Sequence, residues 1–121
     1  MDKVDDIIII MGKGRDSNSY IIGETLIDPG SGENIDYLKD EIKAAGLEMT
    51  DIKKIVNTHC HFDHMGADKQ LQDEYGYEIY MHPLDLQTVK EKDADATVAA
   101  SFGMEVPDLD IKELNEGDTV E

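Results

Sequence analysis

The order in which extended and helical patterns alternate most limits what this chain can fold into. A continuous β-branched run from Ile7 to Met11 is typical of a strand buried on both faces. Ser19–Ile22 and Thr25–Ile27 flank Gly23 and Glu24, which predicts a hairpin of two short strands. Three strands therefore precede the first predicted helix.

That helix is expected from Glu33 to Ala45. Ser31 or Gly32 is predicted to cap its start, and Gly46 is predicted to end it. Apolar residues recur at helical spacing on one face, namely Ile35, Leu38, Ile42 and Ala45. This face should pack on a sheet.

Strands and helices then alternate to the end of the chain. The patterns predict strands at 54–57 and 77–81, helices at 66–74 and from Pro83, and a last strand with Ile111 and Leu114 before a turn at Gly117 and Asp118. Residues 93–110 fit either a helix through Ala96 to Phe102 or a loop. The order βββ-α-β-α-β-α-β favours an α/β (α+β) layered sheet, and 121 residues fit one domain at 1–121.

Charge excludes some classes of partner. Eleven basic and 28 acidic side chains give a formal charge of −17, which repels nucleic acid. The longest apolar run, at 7–11, is too short to span a bilayer, so no membrane association is expected. Acidic residues stand at 2, 5 and 6, where an export signal needs basic ones, and one cysteine fits a reducing cytoplasm.

The chemistry is concentrated between Asn57 and Gly66. Three of the four histidines fall within six residues, in the order His59-x-His61-x-Asp63-His64. If His59 and His61 leave the preceding strand in extended form, both imidazoles project to the same side and suit a zinc-like ion. Asp63 and His64 can supply an oxygen and a nitrogen to a second ion nearby. Gly66 lets the chain turn without a side chain crowding the site.

Three nearby residues are expected to have structural roles. Cys60 lies between the histidines, but strand alternation points it the opposite way, into packing. His82 is interpreted as a polar residue leading into a helix, since partners for metal ligation are not evident. Asp28 is expected to accept backbone N–H bonds in a turn, although a position near the site stays open.

The motif at 57–66 resembles the main metal-binding motif of the metallo-β-lactamase superfamily, which includes glyoxalase II-type thioesterases. The stretch from Ser17 to Ile22, followed by Leu26 to Gly30, is similar to the early strands and the Asp-x-Gly turn of that family. The resemblance implies a four-layer αββα sandwich, and it also places the aspartate matching Asp28 near the metal site. Further family ligands lie downstream of a turn similar to that at 115–118. The resemblance therefore implies that 1–121 is the N-terminal half of such a domain.

The activity implied is metal-dependent hydrolysis of a small-molecule substrate. The metal-bound hydroxide would attack a thioester or related ester or amide, with Zn²⁺ expected (up to two per complete site) and Fe or Mn as alternatives. His59, His61, Asp63 and His64 are the expected ligands, and Asp63 is the expected catalytic residue. The isolated half should have little activity, and its partner would be the missing C-terminal half or a second copy in a homo-oligomer. The alternative function is a non-catalytic metal-binding or assembly half-domain.

Overall fold

Seven strands form one sheet in the computed structural model, which describes residues 2–4 and 7–115. The strands lie side by side in chain order. β1 to β4 pair in antiparallel fashion, and β4 to β7 are parallel. Their bounds are β1 Asp2–Val4, β2 Ile7–Ile10, β3 Ser19–Ile22, β4 Thr25–Ile27, β5 Lys54–Val56, β6 Glu78–Met81 and β7 Ile111–Glu113.

Helices connect the parallel strands. They are α1 Ile35–Ala44, α2 Phe62–Met65, α3 Asp68–Tyr75 and α4 Pro83–Lys90, with 3₁₀ turns at Met49–Asp51 and Ala99–Phe102. Each parallel crossover moves to the next strand in the same direction. Because such crossovers are right-handed, α1, α3 and α4 are placed on the same face of the sheet.

The hydrophobic core lies between that face and the helices. Paired residues on neighbouring strands point to the same side, and Ile21, Leu26, Ile55 and Ile79 form one such row with 0–1% exposure. Helix α1 contributes its buried Leu38 and Ile42 to the same core. The predicted packing of this helix on a sheet is therefore confirmed, and so is the layered α/β arrangement.

The opposite face of the sheet carries an apolar row that the described residues leave half-exposed, beside the polar side chains of Lys54, Glu78 and Lys112. Ile9, Tyr20, Ile27, Val56 and Tyr80 pair directly across five neighbouring strands, and each is half-buried. We call this row the open face. It explains why the prediction of a strand buried on both sides at 7–11 was wrong: β2 carries part of the open face, and only Ile10 in that run is fully buried.

The start of α1 also differs from the prediction. The residue that caps it is Asn34, which makes no side-chain capping bond. Ser31 instead accepts a hydrogen bond from the Glu33 N–H through its Oγ (3.1 Å) and donates through it to Asp16. The hydroxyl therefore organises the turn before the helix, so capping by Ser31 or Gly32 was wrong.

Three other segments depart from the expected boundaries. The expected helix at 66–74 is α3, which begins two residues later and is preceded by the separate short helix α2. Residues 93–110 contain only the 3₁₀ turn Ala99–Phe102 within an irregular connection, and strand β1 was not predicted. The expected turn at Gly117 and Asp118 lies outside the described residues.

Candidate metal centre

The predicted ligands lie together in the loop that follows β5 and in the one-turn helix α2. The ring centroids of His59 and His61 are 4.8 Å apart, and those of His59 and His64 are 3.8 Å apart. Nε2 of His64 lies 3.5 Å from a carboxylate oxygen of Asp63. All four side chains therefore cluster at the carboxyl end of the parallel strands.

The backbone reaches this arrangement differently from the extended path that the sequence favoured. Strand β5 ends at Val56, and the chain bends at Thr58 and His59. His61 then caps α2, and its carbonyl accepts hydrogen bonds from the N–H groups of His64 and Met65. Despite the bend, the imidazoles of His59 and His61 meet edge to face on the same side of the chain.

The donor atoms suit a divalent metal in type, but they do not surround a common point. Within residues 2–4 and 7–115, no three His, Cys, Asp or Glu side chains are arranged to hold an ion. The rings contact one another, and the buried Nδ1 of His64 has no hydrogen-bond partner of acceptable geometry. Imidazole and carboxylate are the usual ligands of zinc and iron. The residues therefore fit a metal chemically and would have to rotate their side chains to bind it.

Electrostatics favour a neutral His59. Burial lowers the pKa of its imidazole, and the neighbouring rings of His64 and His61 lower it further. The carboxylates of Asp28 and Asp63 oppose that shift more weakly. A neutral imidazole is the form that binds metal.

Asp28 links the turn after β4 to the histidine loop. Its carboxylate accepts hydrogen bonds from the backbone N–H of Thr58 (2.8 Å) and from the Thr58 hydroxyl (2.6 Å). One of its oxygens also lies 3.0 Å from Nδ1 of His64. Asp28 is 2% exposed and has a left-handed backbone, with φ +53°. The expected role as an acceptor of backbone N–H is confirmed, and the residue also lies against the cluster.

Backbone hydrogen bonds fix the loop from three directions. The carbonyl of Asp63 accepts from the N–H of Ser17 (3.0 Å), and the carbonyl of His64 accepts from the N–H of Gly30 (3.1 Å). The N–H of Phe62 donates to the carbonyl of Thr97 (2.6 Å). These bonds join the loop to the segments after β2, β4 and α4, so its position is set by the whole end of the sheet.

Gly66 permits a close approach of the chain to itself. A Cβ at this position would lie 2.5 Å from the carbonyl oxygen of Ser31 and 2.6 Å from the ring of Phe62. Its φ of −58° is one that any residue adopts. The glycine is thus required for space, as the sequence suggested, and its freedom to adopt positive φ is not used.

Arg15 is a supporting residue that sequence reasoning missed, since an isolated arginine in a turn gives no signal of its partners. Its guanidinium donates to both carboxylate oxygens of Glu33 and to the carbonyl of Ser101, and lies 4.0 Å from the centroid of the Phe102 ring. The Phe102 ring packs against Phe62 at 5.2 Å. Arg15 therefore connects the turn at 12–18 to the segment that borders α2.

Cys60 and His82 take the structural roles expected of them. Cys60 is buried, and burial together with the nearby carboxylate of Asp85 raises the pKa of its thiol to about 11. His82 caps α4, and its Nδ1 accepts a hydrogen bond from the N–H of Leu84. Both side chains lie outside the imidazole cluster.

A sheet with helices on one face and clustered histidines at its carboxyl edge defines an α/β protein with a candidate metal centre. The sequence profile of the Metallo-beta-lactamase superfamily matches residues 12–121, so the chain belongs to that superfamily. Among curated proteins, it is 36% identical over 114 residues to a probable metallo-hydrolase of Methanocaldococcus jannaschii. That match covers 91% of this chain and 54% of the relative. It is also 31% identical over 86 residues to a hydroxyacylglutathione hydrolase of Pelagibacter ubique, covering 65% of this chain and 33% of that one.

Solved structures show the same fold. The native FEZ-1 metallo-beta-lactamase of Legionella gormanii matches with a TM-score of 0.80 at 20% identity, over 96% of this chain and 46% of that one. The TTHA1623 protein in a di-iron-bound form matches with a TM-score of 0.71 at 29% identity, over 93% and 56%. The chain thus spans about half the length of the archaeal relative and of these two structures, and a third of the Pelagibacter ubique protein. Within residues 2–4 and 7–115, none of the helices has the length and hydrophobicity that a bilayer crossing requires.

Proposed function

We propose that this chain is the metal-binding half of a metallo-hydrolase that cleaves thioesters or related esters and amides. The observation that carries the proposal is the clustering of His59, His61, His64 and Asp63 at the carboxyl end of the parallel strands. Superfamily membership and the similarity to a hydroxyacylglutathione hydrolase support the hydrolase class and favour a glyoxalase II-like substrate.

The residues divide into two partial ligand sets. His59 and His61 would hold one ion, while Asp63 and His64 would contribute to a second. A divalent metal held by these residues would supply a water of lowered pKa, about 7, and so a nucleophile at neutral pH. Zn²⁺ is our preferred ion, with iron or manganese as alternatives. Asp63 is the proposed catalytic residue because its carboxylate could orient the nucleophile beside His64.

Asp28 is proposed to position the histidine loop and to take no direct part in the reaction. Its carboxylate fixes Thr58 at the start of the loop and faces Nδ1 of His64. A carboxylate behind a ligating imidazole orients the ring and raises its basicity. In this proposal, Asp28 directs the other ring nitrogen of His64 toward the metal.

The partial ligand sets also explain why we expect the isolated chain to have little activity. A zinc site uses three or four protein ligands, and each set here has two. We propose that a C-terminal half supplies the rest together with the substrate pocket, and that residues 1–121 form a single half-domain. We further propose a cytoplasmic location and a small-molecule substrate, with neither nucleic acid nor a membrane as partner.

The test compares metal content and turnover with and without the complementary half. Elemental analysis should find weak, substoichiometric zinc on the 121-residue chain, and thioester and phosphodiester assays should find negligible turnover. Supplying the complementary half, in one chain or as a second fragment, should restore two metals and thioester hydrolysis.

Histidine variants of the restored protein provide the matched control. His59→Ala should abolish hydrolysis and leave the fold intact, whereas His82→Ala should keep activity because His82 only caps α4. Equal activity of the two variants would contradict the assignment of the cluster. So would two tightly held metals and rapid turnover from the short chain acting as a monomer.

A further inference from the structure

Asp68 is a fully buried carboxyl group with no cationic partner among the described residues. It lies at the first position of α3 and is 0% exposed. Its Oδ1 accepts a hydrogen bond from the side-chain N–H of Asn57 (3.2 Å), and its Oδ2 has no partner. An ionised carboxylate in such surroundings would be strongly destabilised, since neither a cation nor a second donor compensates the loss of water.

Asn57 also has a buried oxygen without a hydrogen-bond partner. It is 4% exposed at the end of β5, and its amide oxygen is buried without a hydrogen-bond donor. The pair thus contains one N–H···O bond and two orphaned oxygens, both acceptors. A proton on Asp68 converts one of those acceptors into a donor, so it supplies the group that both residues lack.

We propose that Asp68 is a neutral carboxylic acid in the native protein, and that its O–H donates to the amide oxygen of Asn57. The two side chains then form an acid–amide pair with a hydrogen bond in each direction. The pair joins the end of β5 to the start of α3, and these are the two ends of the loop that carries the histidine cluster. Asp68 is therefore a positioning residue for the cluster, a role that rests on the proposed function.

Burial and a neighbouring carboxylate both favour the protonated form of Asp68. Burial raises the pKa of Asp68 well above its usual value, and the carboxylate of Asp28 raises it further, while the Asn57 hydrogen bond opposes the shift. Asp28 is the charged side chain that faces Asp68 from the turn after β4. The adjacent Lys69 is paired with Asp73 on the outside of α3 at 3.2 Å.

The protonation state can be read directly by carbon-13 NMR of the side-chain carboxyls. Asp68→Asn assigns the Asp68 signal by its disappearance, and Asp73→Asn assigns an exposed carboxyl on the same helix as a control. At pH 7 the Asp68 signal should be that of a protonated acid, whereas the Asp73 signal should be that of a carboxylate. An Asp68 signal that is already ionised at pH 7 would overturn the acid–amide pair.

Stability against pH gives an independent measurement of the pair. Because the folded pKa is raised, its stabilisation is complete below the unfolded pKa, about 3.9, and is lost as pH rises through the folded pKa. Between the unfolded and the folded pKa of Asp68, the unfolding equilibrium constant of the wild type should increase about tenfold per pH unit relative to that of Asp68→Asn. The amide introduced by Asp68→Asn would keep both hydrogen bonds without a titrating proton. Parallel curves for wild type and Asp68→Asn would contradict the proposal, and Asp73→Asn should follow the wild type.

The positioning role is tested by zinc affinity at pH 7 in the protein restored with its complementary half, for the wild type and all variants alike. Asp68→Leu keeps the side chain buried but removes both hydrogen bonds, and it should weaken zinc binding about 10–100-fold in a protein that is still folded by circular dichroism. Asp68→Asn should restore the affinity. Unchanged zinc affinity in Asp68→Leu would overturn the positioning role. Failure of the wild type to bind zinc would overturn the proposed function together with this role, while the NMR titration would still decide the acid–amide pair.

Discussion

One carboxylate oxygen of Asp28 lies 3.0 Å from Nδ1 of His64, although the two residues follow different strands of the sheet. The same carboxylate accepts two hydrogen bonds from Thr58. A single buried side chain thus contacts both ends of the histidine loop. Its left-handed backbone, which aspartate and asparagine tolerate better than other non-glycine residues, directs the carboxylate toward the loop.

We expect Asp28→Ala to lower the free energy of unfolding by about 2–4 kcal/mol. The substitution removes two charge-assisted hydrogen bonds and places alanine at a positive φ. Asp28→Asn is the matched control, since it tolerates the backbone and keeps one acceptor, and it should cost about half as much. Urea unfolding followed by circular dichroism measures both. Equal stability of Asp28→Ala and the wild type would contradict the structural role of the carboxylate.

Gly66→Ala should destabilise the chain by about 1–3 kcal/mol, the usual cost of overpacking. The new Cβ would overlap the Ser31 carbonyl, a backbone atom that cannot move without displacing the turn before α1. Gly46→Ala is a useful comparison, because Gly46 has φ +88° but open space around it. Urea denaturation should show a larger loss of unfolding free energy for Gly66→Ala than for Gly46→Ala. An equal or smaller loss for Gly66→Ala would contradict the steric role of this glycine.

Cys60 should be nearly inert toward alkylation in the folded chain at pH 8. With a pKa of about 11, roughly one thiol in a thousand is ionised at that pH, and burial restricts access further. Iodoacetamide labelling followed by mass spectrometry should be more than ~100-fold slower than in the same chain unfolded in urea. Rapid labelling of the folded chain would mean that the thiol is accessible to solvent and is not buried in the packing near α4.

Local patterns predicted most of the elements because each was encoded within a few residues. The hairpin about Gly23 and the apolar stripe of α1 were read correctly for that reason. The His59–His64 motif could also be located from the sequence, although its metal-binding role stays a prediction. The residue patterns alone could not show that Asp28 contacts His64, because that contact depends on two parallel strands meeting at one edge. Only the family resemblance placed Asp28 near the site.

Other departures also have a long-range origin. Ile7–Met11 has the composition of a strand buried on both faces, but burial depends on what covers the sheet, and the described residues cover one side. Ser31 is a good capping residue by type, yet Asp16 from a distant turn engages its hydroxyl. Likewise, nothing local to Asp68 shows that it faces Asn57 eleven residues earlier.

We predict that the isolated chain self-associates through the open face. The row from Ile9 to Tyr80 is an apolar strip across five strands, and burying each 100 Å² of such surface contributes on the order of 2.5 kcal/mol. The charge of −17 opposes association, but salt near 0.15 M screens charges beyond ~8 Å. Apolar burial should therefore prevail at moderate ionic strength, and sedimentation velocity should show the sedimentation coefficient rising with salt and with protein concentration.

Two lysine substitutions distinguish the open face from other apolar surface. Ile27→Lys places a charge at the centre of the row and should return the chain to a monomer at moderate salt, because an ammonium group resists burial. Leu84→Lys is the control: Leu84 is 75% exposed on α4, on the helical side of the sheet, and its substitution should leave the association unchanged. A folded wild-type monomer at high concentration and moderate salt would contradict the prediction, as would an equal loss of association in both variants.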